Sequence, residues 1–426
     1  MPITVSRAVS RPPSRELVQA FGGPRYAVAL AVDALGTGLL RPFLLLYGIK
    51  VLALSAATTG IAMTAGIVTG LACTPAMGRW LDRGARSDAV AAAMLVRVLG
   101  VALLLTAPAG SAGMFAAAAL FLGIGNQAWP AAHAALVATV SHGRMRDAAL
   151  AAARSVRNAG LGVGALIAMG CLAGGTPALK ALAAVTAVGY TAAAAMARSV
   201  HVSAAPAATP VAGRPDGPGP RLGGVLLANV VYAFCLNVPE VALPLVLATQ
   251  LHASPVWSAG IVVINTVLVV TLQVAVTVRM SRFSRRSALT AAGVVLALSY
   301  LGFLLVTPLG GGLTAPAITL VSVTLVSVLC TLGEIMYAGS ATALVVATAP
   351  PHLLGRALAR FQLSTGLGLA VSPALMTTLA AHGPAALWGS LAAVTLLAAV
   401  TVRGRRAPAG RATCLQPPVV HGGPVT

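Results

Sequence analysis

The sequence predicts an all-α integral membrane protein whose twelve transmembrane helices form two pseudo-symmetric bundles of six. Three observations carry that expectation: twelve apolar stretches of bilayer-spanning length, a shortage of charge, and a one-sided distribution of arginine. A hydrocarbon core of about 30 Å takes about 20 apolar residues at a rise of about 1.5 Å each. The 426-residue chain has such stretches at 26–49, 57–77, 90–108, 112–138, 149–173, 179–197, 223–247, 257–278, 288–307, 318–345, 356–380 and 384–402. Charged residues make up only 8% of the chain, against about 25% in soluble domains, and the mean hydropathy is +0.90. So few charges would not solvate a water-soluble domain of this size. With the N-terminus inside, 21 arginines fall in cytoplasmic segments and only Lys50 and Lys180 fall outside. Positive residues collect in cytoplasmic loops, so the expected location is the inner cell membrane, multi-pass, with both termini cytoplasmic. The net charge of +20 then has a topological cause and does not call for a nucleic-acid partner.

Residues 1–25 are polar and arginine-rich with no cleavage signal, a cytoplasmic segment ahead of a retained first helix. Helix 1 carries Asp33 and Arg41. Tyr26 and Tyr47 bracket it, and Trp80, Trp257 and Trp388 fall near other helix ends, where amphipathic rings favour the membrane interface. A charged turn joins helices 2 and 3, and helix 3 holds Arg97. Helix 4 combines Asn126, Gln127, Trp129 and His133, while helix 5 carries Arg154 and Arg157. Residues 198–222 hold Pro206, Pro210, Pro215, Pro218 and Pro220 among Ala, Gly and Arg, a flexible cytoplasmic linker between bundles 26–197 and 223–402. Helix 7 holds Asn229, Asn237 and Glu240, helix 8 Asn265 and Gln273, and helix 10 Glu334 and Tyr337. Arg356 and Arg360 open helix 11, and 403–426 is a cytoplasmic tail. Cys73, Cys171, Cys235 and Cys330 sit in apolar helices and Cys414 in the tail, which suits neither a disulfide framework nor a metal site.

The halves repeat weakly. Gly125, Ala135, Leu136 and Val137 match Gly333, Ala343, Leu344 and Val345 at an offset of 208. Arg154, Gly160, Leu161 and Gly162 match Arg360, Gly366, Leu367 and Gly368 at 206, and Gly60-Ile61 matches Gly260-Ile261 at 200. Parallel six-helix repeats point to a transporter that binds its cargo between the halves and opens alternately to each side.

The turn after helix 2 reads Gly78-Arg79-Trp80-Leu81-Asp82-Arg83-Gly84-Ala85-Arg86-Ser87. It resembles the Gly-x-Leu-Ala-Asp-Arg-x-Gly-Arg-Arg signature of the major facilitator superfamily, with Gly78, Asp82, Arg83 and Arg86 in register and the second glycine one place early. Asp33-Ala-Leu-Gly-Thr-Gly-Leu-Leu-Arg-Pro42, Gly333-Glu334 and Gly355-Arg356 are similar to stretches of the 12-helix drug:proton antiporters. The Gly-Pro pair of antiporter helix 5 is replaced by Gly164-Ala165, and the helix 4 arginine of proton-coupled members is absent from Ala116 to Leu120. The resemblance implies that helices 1, 4, 7 and 10 line a central cavity. It also implies that Asp82 caps and pairs with the cytoplasmic end of helix 11, with Arg356 or Arg360 as inner-gate partner.

A charge at the bilayer centre costs at least about 2.5–3.5 kcal/mol, so one retained there is a functional candidate. Proton coupling needs a carboxylate that loads and releases a proton, and Asp33 and Glu334 are the candidates. Asp33 is alternatively half of a structural pair with Arg97, at similar depth. Glu334 has no basic partner evident at its depth. Arg41 and Glu240, in the outer thirds of helices 1 and 7, form a candidate outer gate, with cargo binding by Arg41 as the competing reading. Asn126, Gln127, Trp129 and Tyr337 are the substrate-pocket candidates, and His133 reads as a packed or bonded histidine. The expected function is secondary active transport: proton-coupled efflux of a small apolar or amphipathic compound by alternating access, in a chain functional as a monomer. Its partners are the cargo, protons and the lipid bilayer. Proton-coupled import of a metabolite is the alternative, and a non-transporting receptor-like role the third reading. No Walker loop precedes a helix, and His352, His382 and His421 scatter over loops and tail. Neither ATP-driven transport nor an enzyme is expected, and no metal or cofactor.

Overall fold

The computed structural model describes residues 14–203, 222–307 and 316–403. Most of the 198–222 linker, the tail after Arg403, Cys414 and the outlying arginines Arg7, Arg11, Arg214, Arg221, Arg405, Arg406 and Arg411 lie outside them. After a short leading helix, Ser14–Phe21, the first bundle comprises α1 (Pro24–Lys50), α2 (Ala56–Asp82), α3 (Ser87–Thr106), α4 (Ala112–Val140), α5 (Gly143–Cys171) and α6 (Gly175–Arg198). The second comprises α7 (Gly223–Thr249), α8 (Pro255–Met280), α9 (Arg285–Val306), α10 (Pro316–Thr348), α11 (Leu354–Ala381) and α12 (Ala385–Arg403). Ten stretches are long and apolar enough to cross a membrane. One of them, Gly143–Arg198, holds both α5 and α6, and the polar residues of α4 keep that 29-residue helix out of the ten. The described residues thus contain twelve rods of spanning length.

The repeat seen faintly in the sequence governs the packing. In the first bundle α1 lies against α5 and α6, α2 against α4, and α3 against α4 and α6. In the second, α7 lies against α11 and α12, α8 against α10, and α9 against α10 and α12. Every pairing recurs six helices later. Between bundles the main seams are α2 with α11 and α5 with α8, a pair that a two-fold operation relating the halves would exchange. The rods face outward with aliphatic residues such as Ile61, Val188 and Leu305, which water would not tolerate so exposed but lipid does.

Small residues set the helix spacing. Gly66 of α2 and Gly123 of α4 face each other so closely that a Cβ on either would collide with the other helix's backbone. Lipid tails are as apolar as leucine, so helices in a membrane gain by close backbone packing of this kind. Two rods are broken at matching places in the repeat: α1 narrows to a 3₁₀ turn at Arg41–Phe43, and α7 widens to a π turn at Val238–Ala242. Pro42 and Pro239 sit at these breaks, each removing a backbone donor. Interrupted helices in corresponding positions of two halves mark the binding region of repeat-built transporters.

Several rings expected at the membrane interface turn inward instead. Tyr26 is fully buried with its hydroxyl 2.9 Å from His133 Nδ1, and Tyr47 donates to the Leu104 carbonyl at 3.0 Å. Trp388 is buried and stacks on Phe303 at 4.6 Å. Each has partners inside its own bundle that an interfacial site would not supply. Gly123→Leu is expected to cost at least about 1–3 kcal/mol through overpacking and to lower the thermal midpoint of the purified protein. Gly113→Leu, at a site with nothing within 4 Å, should leave the midpoint unchanged.

Candidate functional site

The end of the molecule that carries the arginine-rich turns is clamped shut. There α2 meets α11 with glycine on both sides: a Cβ on Gly78 would lie 2.7 Å from the Ala359 Cβ and 3.0 Å from the Gly355 carbonyl oxygen. That approach sets Asp82, the last residue of α2, over the first turn of α11. Its Oδ1 accepts the backbone N–H of Gly355 at 2.7 Å and of Arg356 at 3.3 Å, and its Oδ2 accepts from Arg356 Nε at 2.7 Å. A carboxylate there satisfies orphan amides and complements the positive end of the helix dipole. Arg360, the alternative partner, is exposed and forms no ion pair among the described residues, since one further turn along α11 carries it away from Asp82. Arg83 is exposed too, whereas Arg86 is buried, donating to the Leu81 carbonyl at 2.6 Å and to Thr139 Oγ1 at 2.9 Å. Burial lowers the Arg86 guanidinium from its ordinary pKa, and nearby Asp82 acts in the opposite direction.

A second clamp was not foreseen from the sequence. Asp147, just past the first turn of α5, accepts from Arg285 Nη2 at the start of α9 at 2.8 Å. Arg285 follows Asp82 by 203 residues, and Arg356 follows Asp147 by 209. These spacings sit close to the repeat offsets, so the two clamps are symmetry mates with their charges exchanged. The repeat itself was the signal that would have found Asp147.

Halfway along the first bundle sits a buried polar cluster. Arg97 of α3 binds Asp33 of α1 at 2.5 Å, both side chains fully buried. Arg97 also lies over the Tyr190 ring, 4.4 Å from its centroid, and reaches Thr37 Oγ1 at 3.3 Å. The second Asp33 oxygen is 3.6 Å from Arg157, whose guanidinium covers the Trp129 ring at 4.4 Å. Asp33 is therefore held between two arginines of its own bundle.

Between the bundles lies a cavity of about 370 Å³, within the range of about 300–1,000 Å³ usual for ligand pockets. Trp129, His133, Arg154 and Arg157 wall it on one side, Tyr337 and Phe361 on the other. Trp129 and His133, a turn apart on α4, stack at 4.8 Å. Tyr337 donates its hydroxyl to Asn229 Oδ1 at 2.8 Å. Asn126 and Gln127 are not among the lining residues. Gln127 is two residues from Trp129, a step of about 200° around a helix, and this turns it toward α11, where it accepts from Gln362 at 3.0 Å. Asn126 Oδ1 is buried without a hydrogen-bond partner. Asn229 and Asn237 tie α7 to α11, donating to Ser364 at 2.8 Å and to Ser372 at 2.5 Å respectively.

Glu334 departs from the expectation that it lacks a basic partner. Arg154 of the first bundle reaches its Oε1 at 3.3 Å, and Asn265 donates to its Oε2 at 3.0 Å. Arg41 lines the cavity from the break in α1, while Glu240 is exposed in the break of α7. They form no ion pair among the described residues. Toward this opposite end a Cβ added to Gly60 of α2 or Gly260 of α8 would meet nothing within 4 Å.

The fold fits the comparisons with known proteins. The Major Facilitator Superfamily model matches residues 26–355. The chain belongs to that superfamily. This superfamily member is a multi-pass membrane protein and a transporter, not an enzyme. Its fold is similar to that of the human organic anion transporter MFSD10 (TETRAN), at 16% identity, with 92% of this chain and 100% of that chain covered and a TM-score of 0.68. A bacterial homologue of the iron transporter ferroportin, in an outward-facing state, aligns at 13% identity over 89% of this chain and 98% of that chain, with a TM-score of 0.70. The proton:xylose symporter XylE aligns at 14% identity over 91% and 95%, with a TM-score of 0.70. A search of the curated proteins found no match.

Removing one partner of a buried pair strands the other charge, at a cost of about 3–5 kcal/mol. Asp33→Asn is therefore expected to lower the thermal midpoint of the superfamily member sharply, while Arg154→Gln, at a part-exposed pair, lowers it far less. The clamps are part exposed, and such pairs are worth about 1 kcal/mol or less each. Asp82→Asn with Arg285→Gln should raise the maleimide labelling rate of an Ala359→Cys reporter by up to about tenfold. An unchanged rate would mean that the clamps do not hold this end shut.

Proposed function

We propose that this chain is a proton-coupled exporter of a small amphipathic compound, working by alternating access in the inner membrane with both termini cytoplasmic. The orientation rests on the 21-to-2 split of basic residues. A single chain holds both bundles and the cavity between them, so the monomer is the working unit. One observation carries the mechanism: Glu334 of the second bundle is paired with Arg154 of the first across the wall of the cavity. A proton arriving on the Glu334 carboxylate cancels its charge, and the attraction that spans the two bundles goes with it. The pair is part exposed on its arginine side, so loss of its charge partner is worth about 1 kcal/mol. Carrying a two-state equilibrium from 1:99 to 99:1 takes about 5.5 kcal/mol. One carboxylate therefore supplies a part of the bias between states, and the clamps and cargo supply the remainder. Asp33 acts as a strut, since both its partners lie in its own bundle and do not separate when the bundles rock.

In this reading the clamps Asp82–Arg356 and Asp147–Arg285 part when the cytoplasmic end opens. Arg41 and Glu240 approach each other as the outer end closes. The helix 1 and helix 10 stretches that resemble drug:proton antiporters support export. Proton-coupled import on the same scaffold is the second reading, supported by the similarity in fold to a proton:xylose symporter.

The test is accumulation of a compound panel in cells with and without this gene, with and without a protonophore. Lower accumulation that the protonophore reverses is expected, and higher accumulation would select import. Glu334→Gln should abolish the proton-linked flux at unchanged expression. Full activity in that variant would remove Glu334 from the coupling.

A further inference from the structure

The central cluster is unbalanced in charge. Four arginines, Arg41, Arg97, Arg154 and Arg157, meet three carboxylates, Asp33, Glu334 and the exposed Glu240 near Glu334. Three of the four carboxylate oxygens of Asp33 and Glu334 are hydrogen-bonded, and Asp33 Oδ2 has only a longer ion pair with Arg157. Arg97 takes Asp33 Oδ1, Arg157 stands 3.6 Å from Oδ2, and Arg154 and Asn265 take the two oxygens of Glu334. All the charged side chains that line the cavity are arginines: Arg41, Arg154 and Arg157. A net positive site at this depth in a membrane is costly unless something negative enters it.

The unpaired polar atoms around the cavity carry the same sign. Arg154 Nε, Arg157 Nη1, Trp129 Nε1 and His133 Nε2 are buried without a hydrogen-bond partner. Trp129 and His133 are 4% and 6% exposed. The first three atoms are donors only. When Tyr26 donates to His133 Nδ1, the ring proton sits on Nε2, which then becomes a fourth donor. None of the lining residues leaves a buried side-chain oxygen acceptor unpaired among the described residues. A wall whose buried unpaired groups are N–H donors beside positive charge suits a ligand rich in acceptor oxygens. The opposite wall is apolar, with Leu236, Phe361 and Leu369.

We propose that the cavity binds an amphipathic organic anion, its carboxylate or sulfonate head held by Arg154, Arg157, Trp129 and His133. The apolar body lies against Phe361 and Leu236, and Arg41 draws the anion in from the open end. This rests on the reading of the cavity as the transport site, and names the class of cargo.

The test uses the full chain in nanodiscs of zwitterionic lipid, with no proton gradient. Aryl carboxylates and sulfonates of increasing size are compared with their neutral amides and cationic amines in equilibrium displacement of a radiolabelled 2-naphthoate. Hydrogen bonds to charged groups predict that the best anion binds at least about tenfold more tightly than its amide or amine. Trp129→Phe keeps the ring but loses the donor, and Arg41→Gln alters an exposed residue. Each should weaken anion binding several-fold with the thermal midpoint unchanged. Amides or amines that bind as well as every anion, or anion binding that ignores both variants, would overturn the proposal. Including phosphatidylglycerol in the disc separates a free anion from a lipid headgroup. Undiminished naphthoate binding is expected, and its loss would assign the site to lipid and sink the proposal. Anion binding without proton-driven flux in vesicles would overturn the coupling mechanism and leave the cargo class standing. Proton-driven flux of the amines alone would do the reverse.

Discussion

A hydrocarbon solvent offers an ionised side chain nothing, so every charge kept inside this chain must find its counter-charge on a neighbouring helix. That constraint explains where the polar residues lie. The Asp33–Arg97 pair locks α1 to α3, Asp82 locks α2 to α11, and Asp147 locks α5 to α9. Between these points the helices pack closely through alanine and glycine, joined by neutral hydrogen bonds such as those of Asn229 and Asn237. The pairs differ in what they join. The Asp33–Arg97 pair, within one bundle, is fully enclosed, while the pairs between bundles are part exposed. A contact that must break in each cycle is cheaper to break where water can take over its partners.

The same constraint shapes the cavity. The break in α1 brings Arg41 to its mouth, α5 supplies Arg154 and Arg157, and Trp129 gives Arg157 an aromatic face in place of a second anion. The proton-carrying carboxylate we assign stands at the wall and not at the floor. Its partner Arg154 lines the cargo space, and the pair spans the seam between bundles, which is what coupling one to the other requires.

Much of this was legible in the sequence, because apolar length, arginine asymmetry and repeat offsets survive without any knowledge of packing. The span count, the bundle organisation and the depth match of Asp33 with Arg97 all follow from those signals. The partner of Glu334 was hidden by a boundary error. Starting helix 5 at 149 puts Arg154 about 8 Å in from the arginine-rich end, whereas Glu334 lies about 16 Å in from residue 345. The helices run from Gly143 and to Thr348. Those limits place the two residues about 16 and 21 Å deep, a gap an arginine side chain can bridge. Asn126 and Gln127 failed for a different reason: a cavity-lining helix shows only one face to the cavity, and hydropathy does not say which. Asp147 was passed over because it lies among loop arginines, where a lone carboxylate reads as solvated.

In both clamps the carboxylate belongs to the first bundle and the guanidinium to the second, although symmetry would allow either arrangement. The seam is therefore polarised. During synthesis the first half is complete before the second exists, and for that interval Asp82 and Asp147 lack their partners from the second half. Two copies of the first half would repel each other there, as would two copies of the second, while a first and a second half attract. The arrangement selects the correct mate for each bundle in a crowded membrane and disfavours the swapped dimers to which tandem repeats are prone.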